Sequence, residues 1–211
     1  MKIIRFSLVI LTVFLFLGNV NSAYEKLPGG ILLKLKKQKA TDPALIKIQV
    51  CTDEIIRVIA SPVDEFSKRK SIMVDKTEWD NIKWSLNDDG DWIEISTSKI
   101  VVKVNSLNGS INFYDKEGNL LLNEINEGGK SISSVEVMGE STYNVRQIFN
   151  SPKDEAFYGL GAHQNGIMNY KGEDVDLWQY NIVNAMPFLL SNKNYGILWD
   201  NNSRTKFGDI R

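Results

Sequence analysis

One cysteine and one histidine occur in a chain of 211 residues. With Cys51 alone no intramolecular disulfide forms. With His163 alone neither a zinc finger nor a histidine-pair metal site can be assembled, and a Ser/His/Asp triad has a single candidate base. A charge surplus is missing as well: Lys plus Arg number 25 against 26 Asp plus Glu, a formal net charge of −1. No basic excess exists to hold nucleic acid by counterion release. Low complexity is also absent, because 43% apolar and 24% charged residues is an ordinary globular composition, unlike that of disordered, collagen-like or mucin-like chains. There is no repeat of propeller or solenoid period. Beyond residue 22, no window of a dozen residues carries a capped helical stripe.

The first 22 residues differ from the rest. Lys2 and Arg5 precede an almost wholly apolar run from Phe6 to Leu17, and Gly18-Asn19-Val20-Asn21-Ser22 follows. The run is short for a membrane span, and Val20 and Ser22 are small residues where a signal peptidase reads. A secretory signal peptide over 1–22 is expected, with cleavage before Ala23 and a secreted or periplasmic destination. The lipoprotein route needs a cysteine at the cut, and Cys51 lies far from it. The remaining 189 residues carry 23 basic and 26 acidic side chains, net −3, and suit one large domain or two small ones.

Those residues alternate at a period of two. Ile46, Ile48 and Val50 are separated by Lys47 and Gln49; Ile56, Val58 and Ala60 by Arg57 and Ile59; Ile93 and Ile95 flank Glu94. Ile100–Val104 and Ser110–Tyr114 flank Asn108-Gly109, which favours the positive φ of a tight hairpin turn. Lys116-Glu117-Gly118-Asn119 then leads to Leu120–Leu122, so three strands form a meander. Further strands are expected at 135–138, 145–149, 156–159, 186–190 and 196–199. Short strands joined by frequent turns predict an all-β fold, with a large two-sheet sandwich as the architecture. Gly128–Ser134 reads as a long surface loop. Cys51, between Val50 and Thr52, reads as a buried strand residue, with a reactive thiol as the alternative.

Chemistry-bearing residues concentrate after Ala156. The run Phe157-Tyr158-Gly159-Leu160-Gly161-Ala162-His163-Gln164-Asn165-Gly166 suits a backbone passing close to a binding surface. It lacks the G-x-G-x-x-G spacing and a following helix, which excludes a dinucleotide loop. Asp174-Val175-Asp176-Leu177-Trp178-Gln179-Tyr180-Asn181 combines carboxylates, aromatic rings and amides, the chemistry of sugar recognition: rings cover the apolar face of a pyranose, and planar polar groups meet its hydroxyls. The alternative is one strand face, with Trp178 and Tyr180 two apart and packed on the core. His163 is either a structural residue or a ligand contact, with no partner identifiable in sequence. The cluster Glu173, Asp174, Asp176 does not by itself establish the roughly 5–9.5 Å carboxylate separation of a glycosidase. Asn87-Asp88-Asp89-Gly90-Asp91 reads as turn chemistry, and it does not complete a twelve-residue calcium loop.

These residues carry a resemblance. Phe157-Tyr158-Gly159-Leu160-Gly161, His163-Gln164-Asn165-Gly166, Tyr170-Lys171-Gly172, Leu177-Trp178-Gln179-Tyr180-Asn181, Pro187–Ser191 and Tyr195–Asn201 stand in the order and spacing found in the N-terminal domain of glycoside hydrolase family 31. The chain resembles that domain, most strongly from Ala156 to Arg211. Upstream, Ile55-Ile56-Arg57-Val58 looks like the family's early strand and Phe113–Gly118 like its later hairpin. The Gln179-Tyr180-Asn181 version is most similar to secreted bacterial members acting on α-xylosides or related plant-polysaccharide linkages.

The resemblance implies a galactose-mutarotase-like super-sandwich over 23–211, followed in the family by a (β/α)₈ barrel that holds both catalytic aspartates. Trp199-Asp200-Asn201 only superficially matches the nucleophile's W-x-D-x-N neighbourhood, so no catalytic residue is assigned here, and no cofactor or metal is implied. A loop of the domain reaches the substrate at the barrel mouth. Trp178, Gln179, Asn181, His163 and Gln164 are therefore the candidate substrate-binding residues, for an oligosaccharide. Relatives often carry an aspartate at the position of Asn181 and a polar residue at that of Ala162. The expected function is the carbohydrate-contacting N-terminal domain of a secreted retaining α-glycosidase of α-xylosidase or α-glucosidase type, inactive alone. The alternative is a free-standing carbohydrate-binding module. A mutarotase-like epimerase is disfavoured, since that site uses more than one histidine with a glutamate base.

Overall fold

Alternation of apolar residues produces sixteen strands, every pairing antiparallel, in a computed structural model that describes residues 24–76 and 78–209. The expected signal peptide lies outside the described residues. No helix occurs among them, so none is long and apolar enough to cross a membrane.

β1 (Tyr24–Leu27), β2 (Gly30–Lys34), β3 (Leu45–Val50) and β4 (Ile56–Ser61) form a four-stranded sheet in chain order. β5 (Ser85–Asp88), β6 (Trp92–Ser96), β7 (Ile100–Asn105), β8 (Ile111–Asp115) and β9 (Leu120–Asn123) form a five-stranded meander. Alternate residues of both sheets meet in one core: Ile31 and Leu33 of β2, Ile46 and Ile48 of β3, Ile93 and Ile95 of β6, Val102 and Val104 of β7 are all fully buried. Two apolar faces packed on each other make this the expected sandwich. Cys51 sits one residue past β3 and is buried.

Asn108-Gly109 lies inside a five-residue connection rather than a two-residue turn. Asn105 Oδ1 accepts from the amides of Leu107 and Asn108, and Gly109 alone has the positive φ, 70°. A Cβ on Gly109 would lie 2.5 Å from Ile46 Cδ1, so the connection is packed down onto the core. The Asp88–Asp91 turn is as read from its residues: Asp88 Oδ1 accepts from Gly90 N and Asp89 Oδ1 from Trp92 N, both at 2.8 Å.

Gly128–Ser134 is not a surface loop. From Lys130 onward it is β10 (Lys130–Val137), which pairs along its whole length with β11 (Glu140–Gln147). Lys130 turns inward, where its ammonium contacts both Glu124 oxygens, at 2.5 and 2.6 Å, with both side chains under one-tenth exposed. Burial pushes the Glu124 carboxyl up and the Lys130 ammonium down, each opposed by the charge of its partner.

The last third of the described chain builds a second, smaller core. β12 (Phe157–Ala162), β13 (Asp174–Leu177), β14 (Asn184–Ser191), β15 (Gly196–Leu198) and β16 (Thr205–Gly208) form a β12-β14-β15 sheet and a β13-β16 ribbon. Phe157, Leu160, Val175, Leu177 and Leu189 pack between them, with Phe157 edge-on to Phe207 at 5.9 Å. The glycines of β12 do approach backbone closely, but the backbone is that of β14. A Cβ on Gly159 would lie 2.6 Å from Phe188 O, and one on Gly161 would collide with Asn184 O, at a bulge centred on Leu160.

Candidate carbohydrate site

β13 alternates exposed Asp174 and Asp176 with buried Val175 and Leu177, so both carboxylates leave the strand on its open face. The chain then turns out of the sheet. Trp178 and Tyr180 are 53% and 52% exposed; they do not share a core-facing strand face. Gln179 holds the segment in place: its Nε2 donates to Val183 O at 2.8 Å, and its Oε1 accepts from Ala185 N at 3.1 Å. Both ends of the amide are thus bonded to the backbone at the start of β14. Val183 N bonds Tyr180 O, which places Asn181 and Ile182 at the tip of a tight turn, both exposed.

Across the ribbon, the pairing of Leu177 with Thr205 brings Arg204 beside Asp176. Arg204 Nε lies 3.0 and 3.1 Å from the two Asp176 oxygens, and Nη2 also bonds Oδ2. The guanidinium carbon stands 5.2 Å over the Trp178 ring, a cation–π stack. Hydrogen bonding from Arg204 holds the Asp176 carboxyl below its usual value, and Asp176 raises Arg204 in turn.

Two grooves flank this stack. One, of about 470 Å³, is bounded by His163, Gln164, Asp174, Tyr180 and Ile182; the other, of about 420 Å³, by Met73, Gln179, Pro187 and the 201–203 loop. Trp178 and Arg204 line both. His163 Nε2 lies 2.9 Å from Leu160 O, and the ring meets Tyr170 edge-on at 6.2 Å, so its orientation is fixed from below. Of the residues singled out from sequence, His163, Gln164 and Trp178 therefore converge on the first groove and Gln179 lines the second. Asn181 lines neither and stands at the turn tip. Among the described residues, no group of three or more His, Cys, Asp or Glu could hold a metal ion.

Sequence reasoning missed Arg204, Met73 and the clip that positions the 201–203 loop. In that clip Asp200 accepts from Arg57 Nη2 at 3.1 Å and from Ser71 Oγ at 2.6 Å. No local signal marks the clip, since Arg57 and Asp200 are 143 positions apart.

The chain as a whole is similar to known proteins. The model of the glycosyl hydrolase 31 N-terminal galactose mutarotase-like domain matches residues 45–207. The α-xylosidase of Saccharolobus solfataricus is 34% identical over 120 residues, 53% of this chain and 16% of that protein. The isomaltosyltransferase of Sporosarcina globispora is 24% identical over 172 residues, 77% of this chain and 15% of its own length. Among solved structures, a family 31 α-xylosidase from Xanthomonas citri superposes with a TM-score of 0.79 at 38% identity, covering 86% of this chain and 19% of that one. A Flavobacterium johnsoniae dextranase shares the fold, with a TM-score of 0.68 at 24% identity over 88% of this chain and 23% of its own. The chain thus spans under a quarter of the length of each of these four proteins. It belongs to glycoside hydrolase family 31, whose N-terminal galactose mutarotase-like domain it carries.

Proposed function

We propose that this chain is the carbohydrate-contacting N-terminal domain of a secreted retaining α-glycosidase of α-xylosidase or α-glucosidase type. In the full-length enzyme the activity is hydrolysis of terminal α-linked sugars. The observation that carries the reading is the half-exposed Trp178 indole at the junction of two grooves lined by amides, hydroxyls and the carboxylates of Asp174 and Asp176. This pairing of a flat apolar ring with fixed polar groups fits a sugar. His163 and Gln164 rim one groove, Gln179 fixes the segment, and Asn181 is exposed at the tip of the turn. The acid and nucleophile of a retaining mechanism, about 5–5.5 Å apart, are assigned to a barrel domain. An apolar outer sheet face supports a packed partner: Tyr158 pairs with Leu190 and Phe188 with Leu198, and Tyr158, Leu190 and Leu198 are 38–46% exposed. The leader over 1–22 supports export.

The test is calorimetry with α-xylosides and α-glucosides, combined with an aryl α-glycoside assay on the 211-residue chain. Weak binding that Trp178→Ala removes, with no turnover, is the expected result. Turnover abolished by a single carboxylate change would overturn it. Absence of heat with any sugar at millimolar concentration would remove the carbohydrate contact from the proposal.

A further inference from the structure

The grooves on either side of Trp178 share one wall, the stack of the Arg204 guanidinium on the indole. The wall is braced: Asp176 grips Arg204 through Nε and Nη2, and Asp176 itself is fixed on β13 opposite Lys206. Each groove, at about 470 and 420 Å³, is the size of a small-molecule pocket. The charges in the first groove are also unevenly committed. Among the described residues Arg204 is the one lysine or arginine that lines it and is paired with Asp176, with Lys206 opposite Asp176 but outside the lining, whereas Asp174 makes no side-chain hydrogen bond or ion pair.

Resting on the reading of this surface as a sugar site, we propose that the Arg204–Trp178 stack divides it into two compartments. The ligand is then a neutral oligosaccharide of at least two rings, with one ring on each side of the stack. Arg204 is the specificity-determining residue. Its Nη1, without a protein partner among the described residues, donates to hydroxyls near the linkage, and the free Asp174 carboxylate accepts hydroxyls and repels a uronate. A single sugar fills one side only, and an acidic sugar meets the unpaired Asp174 carboxylate in a groove whose lining arginine is already paired with Asp176.

The experiment is calorimetry on the 211-residue chain with three probes: methyl α-xyloside, α-xylosyl-(1→6)-glucose, and the same disaccharide oxidised to carry a carboxylate. The two-ring neutral probe is expected to bind at least tenfold tighter than the single ring and at least fivefold tighter than the acid. Arg204→Met should bring the two-ring to one-ring ratio near unity. Asp176→Asn, which frees the guanidinium, should strengthen binding of the acid probe, a gain that a merely structural role does not produce. If both neutral probes bind equally in the wild type and Trp178→Ala abolishes both, the partition is wrong while the sugar site stands. If neither probe binds, or Trp178→Ala changes nothing, the sugar site itself is wrong and the partition falls with it.

Discussion

Asp200 accepts a hydrogen bond from Arg57 at 3.1 Å across 143 residues of sequence, joining β4 of the first sheet to the loop beneath Trp178. Its other oxygen accepts from Ser71 Oγ, and Ser71 Oγ in turn accepts from the amides of Met73 and Val74. One carboxylate thus ties three segments together and sets Met73 against the second groove. Asp200→Ala is expected to lower stability by about 1 kcal/mol, since the Arg57 pair is partly solvated, a fall of about 2–4 °C in Tm. The sharper readout is tryptic cleavage at the exposed Lys68-Arg69-Lys70, immediately before Ser71. Cleavage there should accelerate severalfold in the variant, and an unchanged cleavage rate would show that Asp200 does not hold this segment.

Glu124 and Lys130 form a buried pair at the base of the β10–β11 hairpin, and Lys130 also reaches Gly109 O at 3.4 Å. Glu124→Gln leaves an ammonium almost without solvent and without its counter-ion, and should cost about 3–5 kcal/mol by urea unfolding. Replacing both partners, as Glu124→Leu with Lys130→Met, removes the unpaired charge and should recover most of that loss. A double variant as unstable as the single one would mean that the pair contributes geometry that apolar packing does not replace.

The alternation of Ile46, Ile48 and Val50, and of Ile93 and Ile95, exposes the main sandwich to sequence reading because each strand buries one face. β11 is anticipated only from Val145 onward because both of its faces are solvated, so no period of two is written into Glu140–Gln147. β5 is a short edge strand with Leu86 as its single apolar residue. β13 does alternate, but its two carboxylates draw attention to chemistry rather than to pairing. Gly128–Ser134 reads as a surface loop because the burial of Lys130 is satisfied by Glu124, six residues away and just past the end of β9. At the site, Trp178 is legible from its polar neighbours. Arg204 is not, because its position over the indole results from the register of β13 with β16.

Cys51 is 1% exposed, and burial pushes its thiol up, outweighing the opposing pull of Arg57, Lys47 and Lys76. A thiol that stays protonated and out of solvent is a poor nucleophile. Labelling with an aromatic disulfide reagent at pH 8 should be at least a hundredfold slower in the native chain than in urea. Labelling at the unfolded rate would restore the reactive-thiol reading.

Asp209 closes the end of the described chain. Its Oδ1 accepts from Ser151 Oγ at 2.5 Å, its Oδ2 accepts from Gly172 N at 2.6 Å, and Lys171 Nζ lies 3.3 Å away and also bonds Ser151. Burial pushes this carboxyl up, but the bonds from Ser151, Gly172 and Lys171 outweigh it and hold the group below its usual value. A carboxyl with a lower pKa folded than unfolded stabilises the fold at pH above the unfolded value, near 4. That contribution is lost as pH falls through the lower folded value, where both states bind the proton. Thermal melts between pH 7 and 2 should therefore show a wild-type Tm that falls steeply below about pH 4. Asp209→Asn should start lower at pH 7 and decline less over the same interval, so that the two curves converge in acid. Parallel curves would mean that Asp209 titrates alike in both states, and that its bonds to Ser151 and Gly172 do not favour the ionised form.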